Sequence, residues 1–248
     1  MGIIVKSRAE LETMRRAGTV LRDLFAELVT VIRPGVTTGE LDAYIERAIL
    51  DRGCRPSFKN LYGFPGSACI SVNDEVVHGI PGDRVIEEGD VVKVDVGALL
   101  DGYHADAARS YPVGTISGEA ERLLATTRAA LDAGLAQARP GNRVAHISSA
   151  VQAVVEEAGY AVVRDYVGHG VGRDLHEDPQ VPNFASRGYS PLLRVGMTLA
   201  VEPMVNAGTA QVVVRDDKWT VCTRDGALSA NYDDTVAVTE HGPYVLTR

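Results

Sequence analysis

Residues 91–111 read VVKVDVGALLDGYHADAARSY, two β-rich runs on either side of a Leu-Asp-Gly turn sequence. Such a stretch is typical of an antiparallel hairpin with its tight turn at or beside Asp101-Gly102. Side chains of a strand alternate between two faces, so the valines around Asp95 form an apolar face and Asp95 itself lies on the other. The hairpin predicts that Asp106, on the returning strand, shares the face of Asp95.

Two registers are open for this carboxylate pair. A Leu100-Asp101 loop would set Asp95 and Asp106 directly opposite each other, whereas an Asp101-Gly102 loop would make them diagonal neighbours on the same face. Opposed like charges are destabilising, and the cation that alternates onto this face is Lys93. The pair therefore requires a metal ion, a shared proton or open water, and the plainest alternative is a solvated hairpin rim.

Composition and charge describe an ordinary folded chain and exclude several function classes. The chain has 248 residues, 45% hydrophobic and 23% charged, which is enough to bury a sizeable core. Its net charge is -8 and no basic run exceeds two residues, so neither nucleic acid nor an anionic membrane is an expected partner. We expect a monomer whose function comes from a site.

The cysteines indicate a reducing compartment. Cys54, Cys69 and Cys222 are odd in number, widely spaced and free of any CxxC pair, so disulfides and zinc or redox pairs are not indicated. The first residues lack the apolar region of a secretory signal, and no apolar run approaches the ~20 residues of a membrane span. We therefore expect a cytoplasmic protein.

The helical segments repeat along the chain. Capping boxes at Ser7-Arg8-Ala9-Glu10 and Thr37-Thr38-Gly39-Glu40 predict helices that run to about Ile32 and to Gly53. An Arg-Pro-Gly stop separates them, and the same stop recurs 106 residues later, between helices predicted at about 119–138 and 144–158. The match in spacing favours a duplicated unit.

Helices followed by strands in both halves predict an α+β fold. We expect one catalytic domain over 1–248, with pseudo-symmetric halves at about 8–112 and 118–240 and a ligand site in the crevice between them. The strands of the second half are predicted at 161–163, 197–205, 218–223 and 232–239.

A set of metal-ligand candidates falls in short apolar or Gly-rich segments, which are expected to be buried. A buried carboxylate is costly unless it is paired or metal-bound, and four carboxylates with one histidine make a hard ligand set suited to two divalent ions. Each member alone has a simpler alternative, such as a turn histidine or a strand cap, so the weight lies on the joint set. Its members are Asp95, Asp106, His169, Glu202 and Asp233.

Several longer stretches carry a resemblance to a known family. They are Cys69-Ile70-Ser71-Val72-Asn73 with Val77-His78-Gly79-Ile80-Pro81, Asp95-Val96-Gly97 through Asp106, Gly168-His169-Gly170-Val171-Gly172 with Leu175-His176-Glu177-Asp178-Pro179, Glu202-Pro203-Met204-Val205-Asn206-Ala207-Gly208, and Trp219-Thr220-Val221. On these stretches the sequence resembles the type I methionine aminopeptidases along nearly its whole length. The resemblance implies the two-halved pita-bread fold. It sets the five candidates named above on the metal-ligand positions, and His78 and His176 on two catalytic positions.

The resemblance also implies an activity. A methionine aminopeptidase uses two divalent ions, here Co, Mn, Fe(II) or Zn, to remove the initiator methionine from nascent polypeptides with a small second residue. Glu202 would shuttle the proton, His176 would stabilise the oxyanion, and His78 would position the substrate amide. The implied partners are nascent N-termini, with a transient contact to the ribosome.

The implied methionine pocket is apolar with one sulfur, a lining suited to a thioether. Phe64, Cys69 and Trp219 are its main candidates. Phe58, Leu61 and Leu175 fall at further lining positions, and core packing is the competing interpretation for Phe58 and Leu61.

Two departures from the family pattern keep other interpretations open. Asp233-Asp234 stands where the family usually carries Glu and then His, and Ala105 replaces a Gly. Strand alternation favours Asp233 as the ligand, although a bulge would swap it with Asp234. One alternative is a catalytically weak paralogue that binds N-termini or a small ligand. Another is an Xaa-Pro peptidase or creatinase-type relative, which normally carries a large additional N-terminal domain.

Overall fold

The computed structural model describes residues 2–186 and 188–248. Within these ranges the chain forms four helices, and a single 3-10 turn covers Leu61–Gly63. None of the helices in the described ranges has the length and apolar character needed to cross a membrane. The helices are α1 (Arg8–Val31), α2 (Thr38–Asp51), α3 (Gly118–Leu135) and α4 (Val144–Glu157).

The strands of the described ranges are short except for one long hairpin. They are β1 (Arg55–Pro56), β2 (Cys69–Val72), β3 (Glu75–Val77), β4 (Val91–Leu100), β5 (Tyr103–Pro112), β6 (Ala161–Val162), β7 (Gly168–Gly170), β8 (Glu177–Val181), β9 (Thr198–Val201), β10 (Met204–Asn206), β11 (Val212–Val214), β12 (Val221–Thr223), β13 (Ser229–Asn231), β14 (Asp233–Thr239) and β15 (Gly242–Val245).

One antiparallel sheet joins the two halves of the sequence. Its order is β1-β4-β5-β14-β9-β7-β8, with β2 on β4 and β15 on β14. Two smaller three-stranded sheets, β13-β10-β6 and β11-β12-β3, complete the fold of the described residues. The hairpin from the first half therefore pairs with a strand from the second half at the middle of the main sheet.

Local sequence signals account for the helix starts. Both predicted capping boxes are confirmed, since the side chains of Ser7 and Thr37 accept from the backbone three residues on and the Glu there bonds back. The predicted end of α3 is three residues too late. The chain tightens after Leu135, with Ala138 N bonded to Leu135 O, because the residue before Pro140 is disfavoured in the α region.

Two predicted strands of the second half differ from the structure, one by an interruption and one by a later start. The strand predicted at 197–205 is two strands, β9 and β10, because Pro203 has no N–H to give to a ladder and the chain changes sheet there. The strand predicted at 218–223 begins only at Val221, since Lys218 has a left-handed φ of 69° and lies in a turn. The break before Pro203 leaves Glu202 just beyond a strand end.

The hairpin adopts the second of its two registers. Leu100 pairs with Tyr103, and the turn residues Asp101 and Gly102 have φ of 48° and 80°, the left-handed pair of a two-residue hairpin turn. Gly97 is therefore opposite Asp106, and the carboxylates of β4 and β5 are diagonal neighbours on one face.

The helices cover one face of the main sheet. In the first half, α1 and α2 pack on the valine face of β4 and on the alanines of β5. In the second half, α3 and α4 pack on β9 and on Val236 and Val238 of β14. Alternation then directs Asp95, Asp106 and Asp233 to the face that the helices leave open.

Candidate active site

A cavity of about 210 Å³ opens on the helix-free face of the main sheet. It is lined by every side chain that the sequence analysis singled out for ligation, catalysis or substrate binding. These are Asp95, Asp106, His169, Glu202 and Asp233, with His78 and His176, and with Phe58, Leu61, Phe64, Cys69, Leu175 and Trp219. The crevice site is thus formed by residues from both halves of the sequence.

Strand register brings three of the carboxylates together. Asp95 of β4 is opposite Ala108 of β5, and Ala108 is in turn opposite Asp233 of β14, so the two aspartates lie in one row across three strands. Asp106 is two residues before Ala108 and shares its face. Its backbone N–H donates to Thr235 Oγ1 at 2.9 Å, and that hydroxyl donates to Asp106 O at 2.8 Å.

Glycines on either side of His169 let β7 pack closely against the neighbouring strands. A Cβ at Gly168 would lie 2.3 Å from Ala200 O, and one at Gly170 would lie 2.3 Å from Asp178 O, so β7 fits between β8 and β9 only with glycine at both positions. His169 Nδ1 is 2.9 Å from Gly170 O and donates to it, which leaves Nε2 unprotonated and facing the cavity.

The remaining carboxylate approaches His169 from the end of β9. Glu202 Oε1 lies 3.5 Å from His169 Nε2, and Asp106 Oδ2 lies 3.6 Å from the same nitrogen. When both carboxyl groups are ionised, the deprotonated ring nitrogen and the two carboxylate oxygens are all acceptors, with no donor among them. The group that fits between them is a cation.

Burial governs the charge state of this cluster. Burial, followed by repulsion from neighbouring carboxylates, raises the pKa of Asp95, Glu202 and Asp233 well above the ordinary range, and burial raises that of Asp106. Burial, and then the nearby His176, lowers the pKa of His169 to about 4. At neutral pH the imidazole of His169 is therefore uncharged.

The oxygen atoms of the cluster that lack hydrogen-bond partners fit a metal ion. Asp106 Oδ1 and Asp233 Oδ1 are buried without a hydrogen-bond partner, and such acceptors are costly unless something positive binds them. Lys93 does not meet this need, because its Nζ donates to Asn73 O and Ser229 O instead. In the described part of the chain no group of three or more His, Cys, Asp or Glu side chains is placed so that it could hold a metal ion, so the fit rests on these orphaned oxygens and on the hard donor set.

The structure distinguishes the two adjacent aspartates at the start of β14. Asp233 lines the cavity. Asp234 lies on the opposite, helix-covered face, where it accepts hydrogen bonds from Arg109, Thr247 and Arg248. The strand has no bulge at this point, so Asp233 occupies the position that alternation favoured.

One wall of the cavity is apolar. Phe64 meets Trp219 edge to face, with ring centroids 5.2 Å apart, and the buried side chains of Phe58, Cys69 and Leu175 pack beside them. Phe58 belongs both to this packed cluster and to the cavity lining, so its two interpretations are compatible. Burial, then the charge of Asp95, raises the pKa of the Cys69 thiol, which keeps the sulfur neutral.

Two histidines border the polar end of this wall. His176 contacts His169 edge to face at 4.4 Å between ring centroids, and burial lowers its pKa. Burial, followed by His176, lowers the pKa of His78 to about 4. Both rings are neutral at pH 7 and can each offer one N–H to a substrate oxygen.

Sequence reasoning missed several lining residues, among them Tyr62, Tyr166 and Met204. Tyr166 contacts His78 edge to face at 5.4 Å, and Tyr62 stacks near His176 with centroids 6.0 Å apart. These contacts depend on loop geometry that has no periodic signal. Met204 follows Pro203 directly, and the strand break there was the signal that could have found it.

An antiparallel sheet of two helix-backed halves, with carboxylates and a histidine gathered at its centre, defines a metallopeptidase scaffold of the pita-bread class. The sequence model of metallopeptidase family M24 matches residues 12–240. The methionine aminopeptidase of Clostridium perfringens is 50% identical over 245 residues, covering 99% of this chain and 98% of that protein. The methionine aminopeptidase of Thermotoga maritima has a structure with a TM-score of 0.97 and 42% identity, with full coverage of both chains.

The chain therefore belongs to metallopeptidase family M24, among its methionine aminopeptidases. This confirms the resemblance, the α+β class and the pita-bread fold. Prolidase from Pyrococcus furiosus shares the fold more distantly, with a TM-score of 0.80 and 25% identity, and the match covers 99% of this chain and 65% of that one. The higher sequence identity thus favours the methionine aminopeptidases over the Xaa-Pro peptidases.

Proposed function

We propose that this protein removes the initiator methionine from nascent polypeptides whose second residue is small. One observation carries the proposal. A single cavity is lined on one side by an apolar wall with a sulfur atom and on another by four buried carboxylates with one histidine. The naming of its full-length relatives as methionine aminopeptidases supports the same activity. In this function residues 1–248 act as one catalytic domain of two pseudo-symmetric halves.

The metal requirement follows from the family and from the orphaned oxygens of the cluster. Two divalent ions, of Co, Mn, Fe(II) or Zn, would be held by Asp95, Asp106, His169, Glu202 and Asp233. When bound, such ions polarise the scissile carbonyl and lower the pKa of the attacking water.

The protein's own side chains supply the remaining functions. The wall of Phe64, Cys69 and Trp219 takes up the methionine side chain, since its lining is apolar and polarizable. The free N-terminal amine would bind beside that wall, at the cluster that would hold the ions, which confines cleavage to the first peptide bond.

Proton transfer is assigned to Glu202. Its carboxyl group has a raised pKa, so it can accept the proton of the attacking water and return it to the leaving amine. His176 donates a hydrogen bond to the developing oxyanion, and His78 donates to the amide of the substrate. Both donors are neutral imidazoles, so each binds its substrate group without adding charge to the ground state.

The reaction is expected to take place in the cytoplasm. Nascent N-termini are available in the cytoplasm, and the three buried cysteines are free, which agrees with a reducing compartment. We propose that a monomer acts there, with a transient contact to the ribosome and without a nucleic acid or membrane partner.

The direct test is release of free methionine from Met-Ala-Ser and Met-Gly-Met-Met. Purified protein is stripped with a chelator and titrated with Mn, Co or Fe(II), and a peptide with a bulky second residue serves as the control. Metal-dependent release from the first two peptides alone is expected. Failure to release methionine at any metal concentration would reject the activity.

One alternative function has a specific observation in its favour. The ligand candidate Asp233 has a short side chain, and a site with one ligand out of reach would bind N-termini without efficient cleavage. Restoration of activity by Asp233→Glu with Asp234→His in an otherwise inactive protein would establish this alternative.

A further inference from the structure

The first two residues of β14 have opposite environments. Asp233 Oδ1 is buried without a partner on the cavity side. Asp234 is fully buried on the other side, where Arg109 Nη2 donates to Oδ1 at 2.7 Å, Thr247 Oγ1 donates to Oδ1 at 2.6 Å and Arg248 Nε donates to Oδ2 at 2.6 Å. One carboxylate is fully occupied while its neighbour in sequence is left available.

Arg109 connects these two environments. Its Nη1 donates to the backbone oxygen of Asp233 at 2.5 Å and to Ala108 O at 2.9 Å, while its Nη2 binds the carboxylate of Asp234. The guanidinium also lies 5.1 Å from the centroid of the Phe25 ring, which holds it against α1. A planar, multidentate donor of this kind fixes both the position and the orientation of what it binds.

The second arginine ties the same carboxylate to a helix. Arg248 binds Asp234 through Nε and Asp132 of α3 through Nη1, the latter at 2.6 Å. The start of β14 is therefore fixed both from β5, through Arg109, and from α3, through Arg248.

Such fixation is needed because the strand ladder is short here. Between β5 and β14 only Asp233 with Ala108 and Asp234 with Ala107 are paired, and β14 begins at this point. The ladder between β14 and β9 begins only at Asp234, so Asp233 itself is paired on one side alone. A residue held in this way is a weak anchor for a side chain that has to be placed to a few tenths of an ångström.

We propose that Arg109 and Asp234 form a clamp, the Arg109–Asp234 clamp, that positions the Asp233 carboxylate for a divalent cation. The two residues touch neither substrate nor metal and act through Asp233. This inference rests on the proposed function to the extent that Asp233 is a metal ligand. The Arg109–Asp234 ion pair takes no direct part in the proposed reaction, and the clamp gives it a role.

The test compares two variants that each remove one arginine from a buried carboxylate. Arg109→Met leaves Asp234 with Arg248, and the control Arg84→Met leaves Glu75 with Arg215. Arg84 lies outside the cavity lining. Mn²⁺ is titrated calorimetrically into the chelator-stripped proteins, and thermal melts of the metal-free proteins report any general loss of stability.

The expected result is a Mn²⁺ dissociation constant raised about 10–100-fold in Arg109→Met, as for other residues that support a metal ligand from behind. Arg84→Met is expected to bind Mn²⁺ as the parent does, whatever its melting temperature. Equal dissociation constants in the two variants would overturn the clamp.

A second variant decides the matter if Arg109→Met does not fold. Asp234→Asn keeps the size and one acceptor oxygen but removes the charge and the bond from Arg248, and weakened Mn²⁺ binding is again expected. Unchanged binding in Asp234→Asn would reject the clamp while leaving the proposed function intact. Parent protein that binds no Mn²⁺ and releases no methionine would instead reject the proposed function.

Discussion

His78 offers a test of how strongly burial in the cavity disfavours the protonation of an imidazole. Its backbone has a left-handed φ of 59°, a conformation that Asn also tolerates, so His78→Asn removes the titrating ring with little backbone strain. Burial, followed by His176, lowers the pKa of His78 from 6.5 to about 4. The imidazole therefore stays neutral in the folded protein at pH values where it is protonated in the unfolded chain.

The sign of the effect follows from proton linkage. Between pH 6.5 and about 4 the unfolded chain binds a proton at His78 that the folded chain does not, so stability falls as the pH is lowered through this window. At pH 5, one and a half units below the ordinary value, the loss amounts to at most about 2 kcal/mol at ~1.36 kcal/mol per unit. For a chain of this size that corresponds to a fall in melting temperature of at most about 4–8 °C.

The assay is thermal unfolding at pH 7 and pH 5 with a chelator present, which removes any contribution of bound metal. We expect the melting temperature of His78→Asn to fall less between these pH values than that of the parent, by up to the amount given above. The exposed His241 supplies the control, since His241→Asn should keep the parental pH dependence. An identical fall in the parent and in His78→Asn would refute the reasoning.

Three further substitutions test the cavity. Glu202→Gln should lower the rate of methionine release at least about 100-fold, because the proton shuttle is lost. Calorimetry should show a more stable metal-free protein, because the variant no longer buries an ionisable carboxyl group among other carboxylates. Asp233→Glu should bind divalent ions more tightly in a calorimetric titration, because the longer side chain gains about 1.5 Å of reach; equal affinity would contradict a short ligand. Phe64→Leu, which loses the edge-to-face contact with Trp219, should cost about 1 kcal/mol in denaturant unfolding and raise KM more than it lowers kcat, and an unchanged KM would remove Phe64 from the pocket.

The parts of the fold that local chemistry dictates could be predicted from the sequence. Capping boxes fixed the starts of α1 and α2, and the alternation of β4 and β5 placed both carboxylates of the hairpin on one face. The turn register stayed open at the sequence level because both loops preserve facing. Left-handed backbone at Asp101 and Gly102 decides it in the structure.

The parts that depend on pairing between distant strands could not be predicted. Nothing in the local pattern shows that Ala108 is opposite both Asp95 and Asp233, because that row requires β14 to join β5 across more than 100 residues of chain. The saturation of Asp234 by Arg109 and Arg248 is likewise a product of tertiary packing. The candidate ligands were found as a set from their residue types and from the family resemblance, and their relative positions came only with the sheet.

The continuity of the main sheet has a consequence for how substrates are admitted. The cavity is built on strands bonded edge to edge from β1 to β8, so its halves cannot swing apart like the lobes of a hinged enzyme without breaking ladder bonds. Discrimination between small and large second residues then depends on rigid walls and needs no induced fit. Neither entry of a peptide nor departure of its products has to wait for a domain to open.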